Sequence, residues 1–524
     1  MAERGSVDVM KHVRKVALVT CLTLVVVVAS TFTFLAAAFA QWSGFAQNPQ
    51  HSAESPVSSQ ALNRVVWSTP VDLAPQFSNG ELGIHYGSPL VTTANTVIVP
   101  VKTTTTGNFR VEARRGIDGS LIWTLPTDYV LPPHGNLIPA FGPALTSQPR
   151  LYFPGIGGTV YFRNTPDAVC SSKRNCQGQL AFFGMKNYRK RRQAYNSSVM
   201  INTPLSADSA GNIFFGFAVI GNSGKPLRDA HHKILSSGIA RIDASGKATW
   251  TPVTTASADQ TMTTVVLNCA PALSPDLKTV YVAVSDGSAG YLLALDSHTL
   301  GPIARVRLKD PKSGADASLS FGSSATPTVG PDGDVYFGVL ENPCCGENHD
   351  RGWLLHFDSG LTLSKTPGAF GWDSTASIVP SSMIPSYSGP SDYLLMTKYN
   401  NYANVGGDGQ NKLAVLDPNV SETDPITGVT VMNEVRTIVG PTPDVDLPGV
   451  KEWCINSGAI DPGTGSALVN SEDGKLYRWN LSANTLSESV MLTTGVSEAY
   501  TPTAIGVDGT VYAINNAILF AVGQ

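Results

Sequence analysis

One pattern returns along most of this chain, and it limits the fold more than any other feature. A strand opened by Pro or a small residue leads through a turn into a β-branched and aromatic strand. The clear copies read SPLVTTANTVIVPV (88–101), TPLSADSAGNIFFGF (203–217), APALSPDLKTVYVAV (270–284), ATPTVGPDGDVYFGV (325–339) and TPTAIGVDGTVYAI (501–514). Weaker copies lie at 142–155, 381–397 and 457–471, which makes eight. The second half of the unit is a strand ending in an acidic or polar turn, often with a last strand behind it. It appears at 109–125, 238–250, 291–306, 353–365, 412–419 and 475–489. Alternation in period two, broken by Asp-Gly and Ser-Gly turns, marks short antiparallel strands. Four short strands per unit of about 55 residues, repeated eight times, predict an all-β chain: an eight-bladed β-propeller of four-stranded antiparallel blades.

The last unit runs out at NAILFAVGQ (516–524), before its fourth strand. NRVVWSTPV (63–71) has the Trp-bearing form of the closing strand seen in SLIWTL and KATW, and is expected to pair with the last unit. That closes the ring and removes two sheet edges that would otherwise invite aggregation. The propeller is then expected over 63–524, with the polar segment 41–62 as a strap over its outside. Charged residues are only 15% while Gly (49) and Pro (35) are plentiful, which suits many strands and turns rather than long helices or disorder.

Residues 1–40 read as an export signal. Arg4, Lys11, Arg14 and Lys15 precede the uncharged run Val16 to Ala38, and Ala38-Phe39-Ala40 places cleavage before Gln41. The run is also long enough to stay as an uncleaved membrane anchor. Cys21 lacks the sequence context of a lipidation box. The expected location is periplasmic or extracellular, tethered to a membrane only if the segment is kept. Net charge is −4, and losing the leader's four basic and two acidic residues leaves about −6. Such a surface does not seek nucleic acid or acidic membranes. Six cysteines remain, an even number compatible with disulfides in an exported chain. Cys170 and Cys176, flanking a short polar loop, are one candidate pair, and Cys344 and Cys345 are another. The pairing of Cys269, Cys344, Cys345 and Cys454 stays open.

The unit P-x-x-x…G-x-V-Y-x…L-x-x-x-D…G-x-x-x-W resembles the repeat of the pyrroloquinoline quinone (PQQ)-dependent dehydrogenases and their non-enzymatic relatives. The lead-in QWSGFAQNPQHSAESPV (41–57) is similar to the opening common in exported members. The resemblance implies the propeller fold. It leaves activity open, because the family holds enzymes, assembly scaffolds and binding proteins.

In such a meander the loops between second and third strands, and those between blades, emerge on one face. The long insertions at 220–237, 341–352 and 399–411, and the connections 126–141, 309–324 and 440–456, all belong to these classes, so that face is expected to carry function. The sharpest feature is ENPCCGENHDRGW (341–353). Quinone-dependent alcohol dehydrogenases stack a vicinal disulfide on their cofactor and carry Asn and Arg-Gly shortly downstream. Here Asn348 and Arg351 follow Cys344 and Cys345. The pair lies in blade five instead of early in the chain, however, and no pattern matches the family's calcium ligands or catalytic Asp. Glu347, His349 and Asp350 in the same loop, and Asp229, His231 and His232 in the blade-three insertion, are imidazole and carboxylate groups able to meet a metal. They lack regular ligand spacing. Asn400, Asn404 and Asp408 lie in YNNYANVGGDGQN (399–411), oxygen-rich and aromatic, suited to calcium or a sugar ring. Lys186 and Arg189 to Arg192 form a basic run that reads as a solvated loop or a grip on an anionic glycan or lipid head group.

No nucleophile elbow, zinc-protease helix, phosphate loop or haem attachment motif is present. The leading expectation is therefore a monomeric, non-catalytic binding or scaffold protein, offering one loop-rich face to a protein or glycan, with no cofactor assigned to it. A PQQ- and calcium-dependent alcohol or sugar dehydrogenase is the alternative. A cell-envelope assembly scaffold comes third.

Overall fold

The computed structural model describes residues 42–78, 81–82, 87–105, 107–133, 141–172, 176–221, 225–319, 325–344, 346–494 and 501–524. The expected leader over 1–40 lies outside them. Among the described residues no helix is long and apolar enough to cross a membrane.

Eight antiparallel sheets follow one another as the blades of a propeller. In blade one, strands Leu90–Val91, Thr96–Thr104, Gly107–Arg115 and Leu121–Val130 pair in chain order from the axis outward. The others repeat this meander. In blades three and four the innermost strand is broken into two short pieces, Val199–Ile201 with Ser206–Ala207 and Thr264–Val265 with Ala272–Leu273. The burial pattern follows from position. Tyr393–Tyr399, second in blade six, is buried at every residue because neighbouring blades cover both its faces. Thr485–Met491, outermost in blade seven, alternates between exposed and half-buried. The Asp-Gly turns of the repeat place Gly333 and Gly509 at φ 91° and 84°, the left-handed conformation that glycine adopts without strain.

Closure is as the sequence implies. Arg64–Pro70 pairs antiparallel with Ile518–Gly523, so blade eight takes its outer strand from the start of the propeller. Trp67 on that strand is 9% exposed, and its Nε1 donates to the Gly116 carbonyl of blade one at 2.7 Å.

Three expectations need correction. The connection 126–141 is not all loop, because the outer strand of blade one runs on to Val130. Among the described residues blade five departs from this meander, with three regular strands. Its outer edge is covered by isolated bridges from Phe357 to Ser364 and from Leu354 to Gly368. The first part of the expected strap, 42–56, does not run over the outside. Its carbonyls at Trp42, Ser43, Pro49, Gln50, Ser52 and Ala53 accept hydrogen bonds from Val91, Leu145, Leu273, Val329, Ile378 and Ile460. These amides belong to the innermost strands of blades one, two, four, five, six and seven. Twelve residues reach only about 40 Å when fully extended, and these also turn back on themselves. They can touch six blades only by crossing the axis. Each bonded amide sits just before the turn to its blade's second strand, so segment 42–56 closes the axial channel at the face opposite the long loops. Buried polar groups hold it there. His51 Nδ1 donates to the Pro327 carbonyl at 2.8 Å, and Ser59 donates through both N and Oγ to Asp461.

Candidate functional site

The face carrying the long loops is dominated by the insertions of blades five and six. Strand Val335–Val339 ends at the buried Glu341, whose carboxylate accepts the amides of Asn348, Asp350 and Gly352 at 3.2, 2.9 and 2.8 Å. Three amides converging on one carboxylate give the insertion a fixed shape. Arg351 is 2% exposed and makes a bidentate pair with Asp424 of blade six, at 3.1 and 2.8 Å, and also reaches Asn348. Asn348 is fully buried and donates to the Gly352 carbonyl. Asn348 and Arg351 are thus internal fasteners and do not present themselves on the surface. Neither Glu341 nor Asp424 stood out in the sequence, since each acquires its role from a partner that only folding brings near.

The two insertions meet at their rims. His349 Nδ1 lies 2.8 Å from Asn401 Oδ1, and Asn401 Nδ2 donates to Asp408 Oδ1 at 2.7 Å. Asn404 and Asp408 are exposed beside this join, whereas Asn400 is buried and bonded to the backbone of Trp453. Glu347 pairs with Lys312 at 3.4 Å. Asp350 is half-buried, and burial, followed by the nearby Glu341 carboxylate, raises its pKa to about 6 against a lowering by His349. Cys344 is exposed and disulfide-bonded, with its Sγ 3.9 Å from Asp350 Oδ1. Cys345 lies outside the described residues. Cys170 and Cys176 are joined, and Cys269 and Cys454 are both buried.

The blade-three candidates separate into two roles. Asp229 is buried, caps the turn by accepting the amides of His231 and Lys233, and receives Trp250 Nε1 at 2.9 Å. His231 and His232 are exposed at the tip. Among the described residues no group of three His, Cys, Asp or Glu side chains is placed to hold a metal. The basic run is not a loop: Lys186, Arg189 and Lys190 lie on helix Met185–Lys190, and Arg192 opens helix Arg192–Asn196. Between the helices, Arg191 donates to the carbonyls of Lys225 and Pro226, which ties down the blade-three insertion.

A quinone site asks for cations to meet the cofactor's carboxylates and for oxygens to hold calcium. Beside the cysteine pair, the guanidinium of Arg351 is spent on Asp424 and Asn348, and both oxygens of Glu341 are spent on backbone amides. The described residues there do not fit PQQ and calcium.

No protein-family model matches the sequence, and no curated protein matches it either. Solved structures do. A europium-containing methanol dehydrogenase superposes with a TM-score of 0.52 at 10% identity, over 90% of this chain and 89% of that one. The quinohemoprotein alcohol dehydrogenase of Comamonas testosteroni gives 0.50 at 11%, over 92% and 77%. BamB from Moraxella catarrhalis gives 0.43 at 15%, over 88% and 97%, a likeness too loose to carry weight. The chain therefore has the eight-bladed propeller fold of the quinoprotein alcohol dehydrogenases. At these identities the likeness is one of fold alone.

Proposed function

We propose that this chain is an exported binding propeller that offers its loop-rich face to a protein or glycan partner. The observation that carries this reading is the joined rim of blades five and six. The blade-five insertion is fixed by the Glu341 cap and by the Arg351–Asp424 pair, and it joins the blade-six insertion through His349, Asn401 and Asp408. Rigid loops with exposed amide and carboxylate groups and a half-buried imidazole suit recognition, because little order remains to be imposed on binding. The segment on the axis favours the same face by covering the other end of the channel. An envelope protein as the partner would make this a scaffold. The quinone-dependent alternative has the support of the fold only.

The test is binding of the purified protein to arrays of glycans and of envelope proteins. Substituting both His349 and Asn401 by Ala should abolish capture of the partner, while Lys278→Ala, on an exposed turn of the opposite face, should leave it intact. Capture indifferent to the rim substitutions would sink the reading.

A further inference from the structure

The axial segment pairs with six of the eight innermost strands, and the gaps fall at blades three and eight. In blade three, Asp208 N donates to the Asn212 carbonyl at 3.0 Å, and the alternation of an antiparallel ladder then turns the amide of Ala207 toward the axis. The same alternation turns Ile505 inward in blade eight. Neither amide has a partner among the described residues. The segment passes blade three folded on itself. Ser43 donates to the Gln47 carbonyl through N and Oγ, at 2.9 and 2.8 Å, and Ala46 and Gln47 adopt left-handed φ of 44° and 80°.

A cavity of about 420 Å³ opens in this gap, within the range of small-molecule sites. Glu54 brings a carboxylate to it beside Asn48 and Asp208, whose side chains are bonded to Ser52 and Asn212, and Pro49 and Leu277 are among its apolar lining. Glu54 approaches from the side of blade seven, where it bridges to Ile460, and Asp208 from blade three opposite, so the cavity straddles the axis. The Glu54 carboxylate is half-buried and makes no ion pair or hydrogen bond among the described residues; burial raises its pKa. No Lys or Arg lines the cavity, which disfavours phosphate or carboxylate ligands.

We infer that this axial cavity binds a neutral polyhydroxylated ring, a single sugar unit. Each sugar hydroxyl both accepts and donates, so one ring satisfies the inward Ala207 amide and the Glu54 carboxylate together, with its C–H face against the half-buried Pro49 and Leu277. This site lies at the other end of the axis from the proposed partner face and stands or falls independently of it.

Saturation-transfer NMR on the purified full chain tests it, with glucose, galactose and N-acetylglucosamine as probes and putrescine as the cationic control. At least one sugar should receive saturation. Its Kd should rise tenfold or more in Glu54→Gln and in Ser209→Trp, where the exposed rim residue becomes a lid. Asp446→Ala, at an exposed position on the opposite face, should leave it unchanged. No transfer to any sugar, transfer that survives Ser209→Trp, or putrescine bound in preference to the sugars would each overturn the assignment.

Discussion

Lys102 Nζ stands 2.9 Å from Asp72 Oδ2, and both side chains are wholly buried. Asp72 follows directly on the closing strand and Lys102 belongs to the second strand of blade one, so the pair clasps the two ends of the ring seam. The Lys102 ammonium also donates to the Ala74 carbonyl. Removing one partner strands a buried charge, which costs about 3–5 kcal/mol, while exchanging both for apolar groups is far milder. Asp72→Ala and Lys102→Met should each lower the unfolding midpoint by more than the double substitution Asp72→Leu with Lys102→Met. A double variant as unstable as the singles would show that the seam depends on something other than charge pairing.

The closing strand itself should matter as much as any blade. Trp67 packs on Gly119, where an added Cβ would come within 2.6 Å of the indole. Trp67→Ala should cost about 3–5 kcal/mol, a large share of a typical domain's stability. Removing residues 41–72 should give insoluble protein or a far lower melting temperature. An unchanged melting temperature after that deletion would refute closure by this strand.

Legibility in the sequence tracked how each part of the structure is held. Second and third strands are flanked by blades on both sides, so runs such as Ile213–Val219 announce themselves as apolar. The outer hairpin of blade six, Lys412–Thr423 with Thr430–Val439, was read only to Asn419. Its ladder shifts register between Asp417 and Ser421, and beyond the shift the third strand is mostly polar and exposed or half-buried, though its partners Val431 and Met432 are fully buried. The axial segment was misplaced because it is bound through backbone carbonyls, which leave little trace in residue types. In the candidate site the right loops were found with the wrong emphasis. Arg351 looked available for a ligand, yet its partner Asp424 lies 73 residues away and only folding joins them. His349 and Asp408 could be seen as loop-tip groups, but the Asn401 that links them was not distinguishable from its neighbours.

Acid should loosen the axial segment. Burial holds the pKa of His51 down at about 4, against 6.5 for the free side chain, and its hydrogen bond to Pro327 opposes this only in part. The unfolded chain therefore takes up a proton that the native protein refuses. Stability from this residue is complete above about pH 6.5 and falls as the pH drops toward 4, by roughly 3 kcal/mol in total. In melting curves recorded between pH 7 and 4, His51→Gln should show a shallower loss than the wild type. Parallel curves would mean that His51 is protonated in the folded state.

The bond between Cys170 and Cys176 closes a loop of six-residue separation that lacks a core of its own. The chain-entropy model gives such a short closure about 2 kcal/mol. Peptide mapping without reductant should recover both cysteines in one linked fragment, and Cys170→Ser with Cys176→Ser should lower the melting temperature by a few degrees without loss of the fold. Free thiols at both positions in protein taken from the cell envelope would contradict the pairing.

Whether this propeller recognises or oxidises is decided most directly by calorimetric titration with pyrroloquinoline quinone in the presence of calcium. A dye-reduction assay on primary alcohols and aldose sugars should accompany it. With Arg351 committed to Asp424 and Glu341 to three backbone amides, no charged group among these is left to grip the cofactor. The expected isotherm is flat at micromolar quinone, and no dye should be reduced. Tight binding, lost when Cys344 and Cys345 are replaced by Ser, would contradict the binding-protein reading and establish a quinone enzyme.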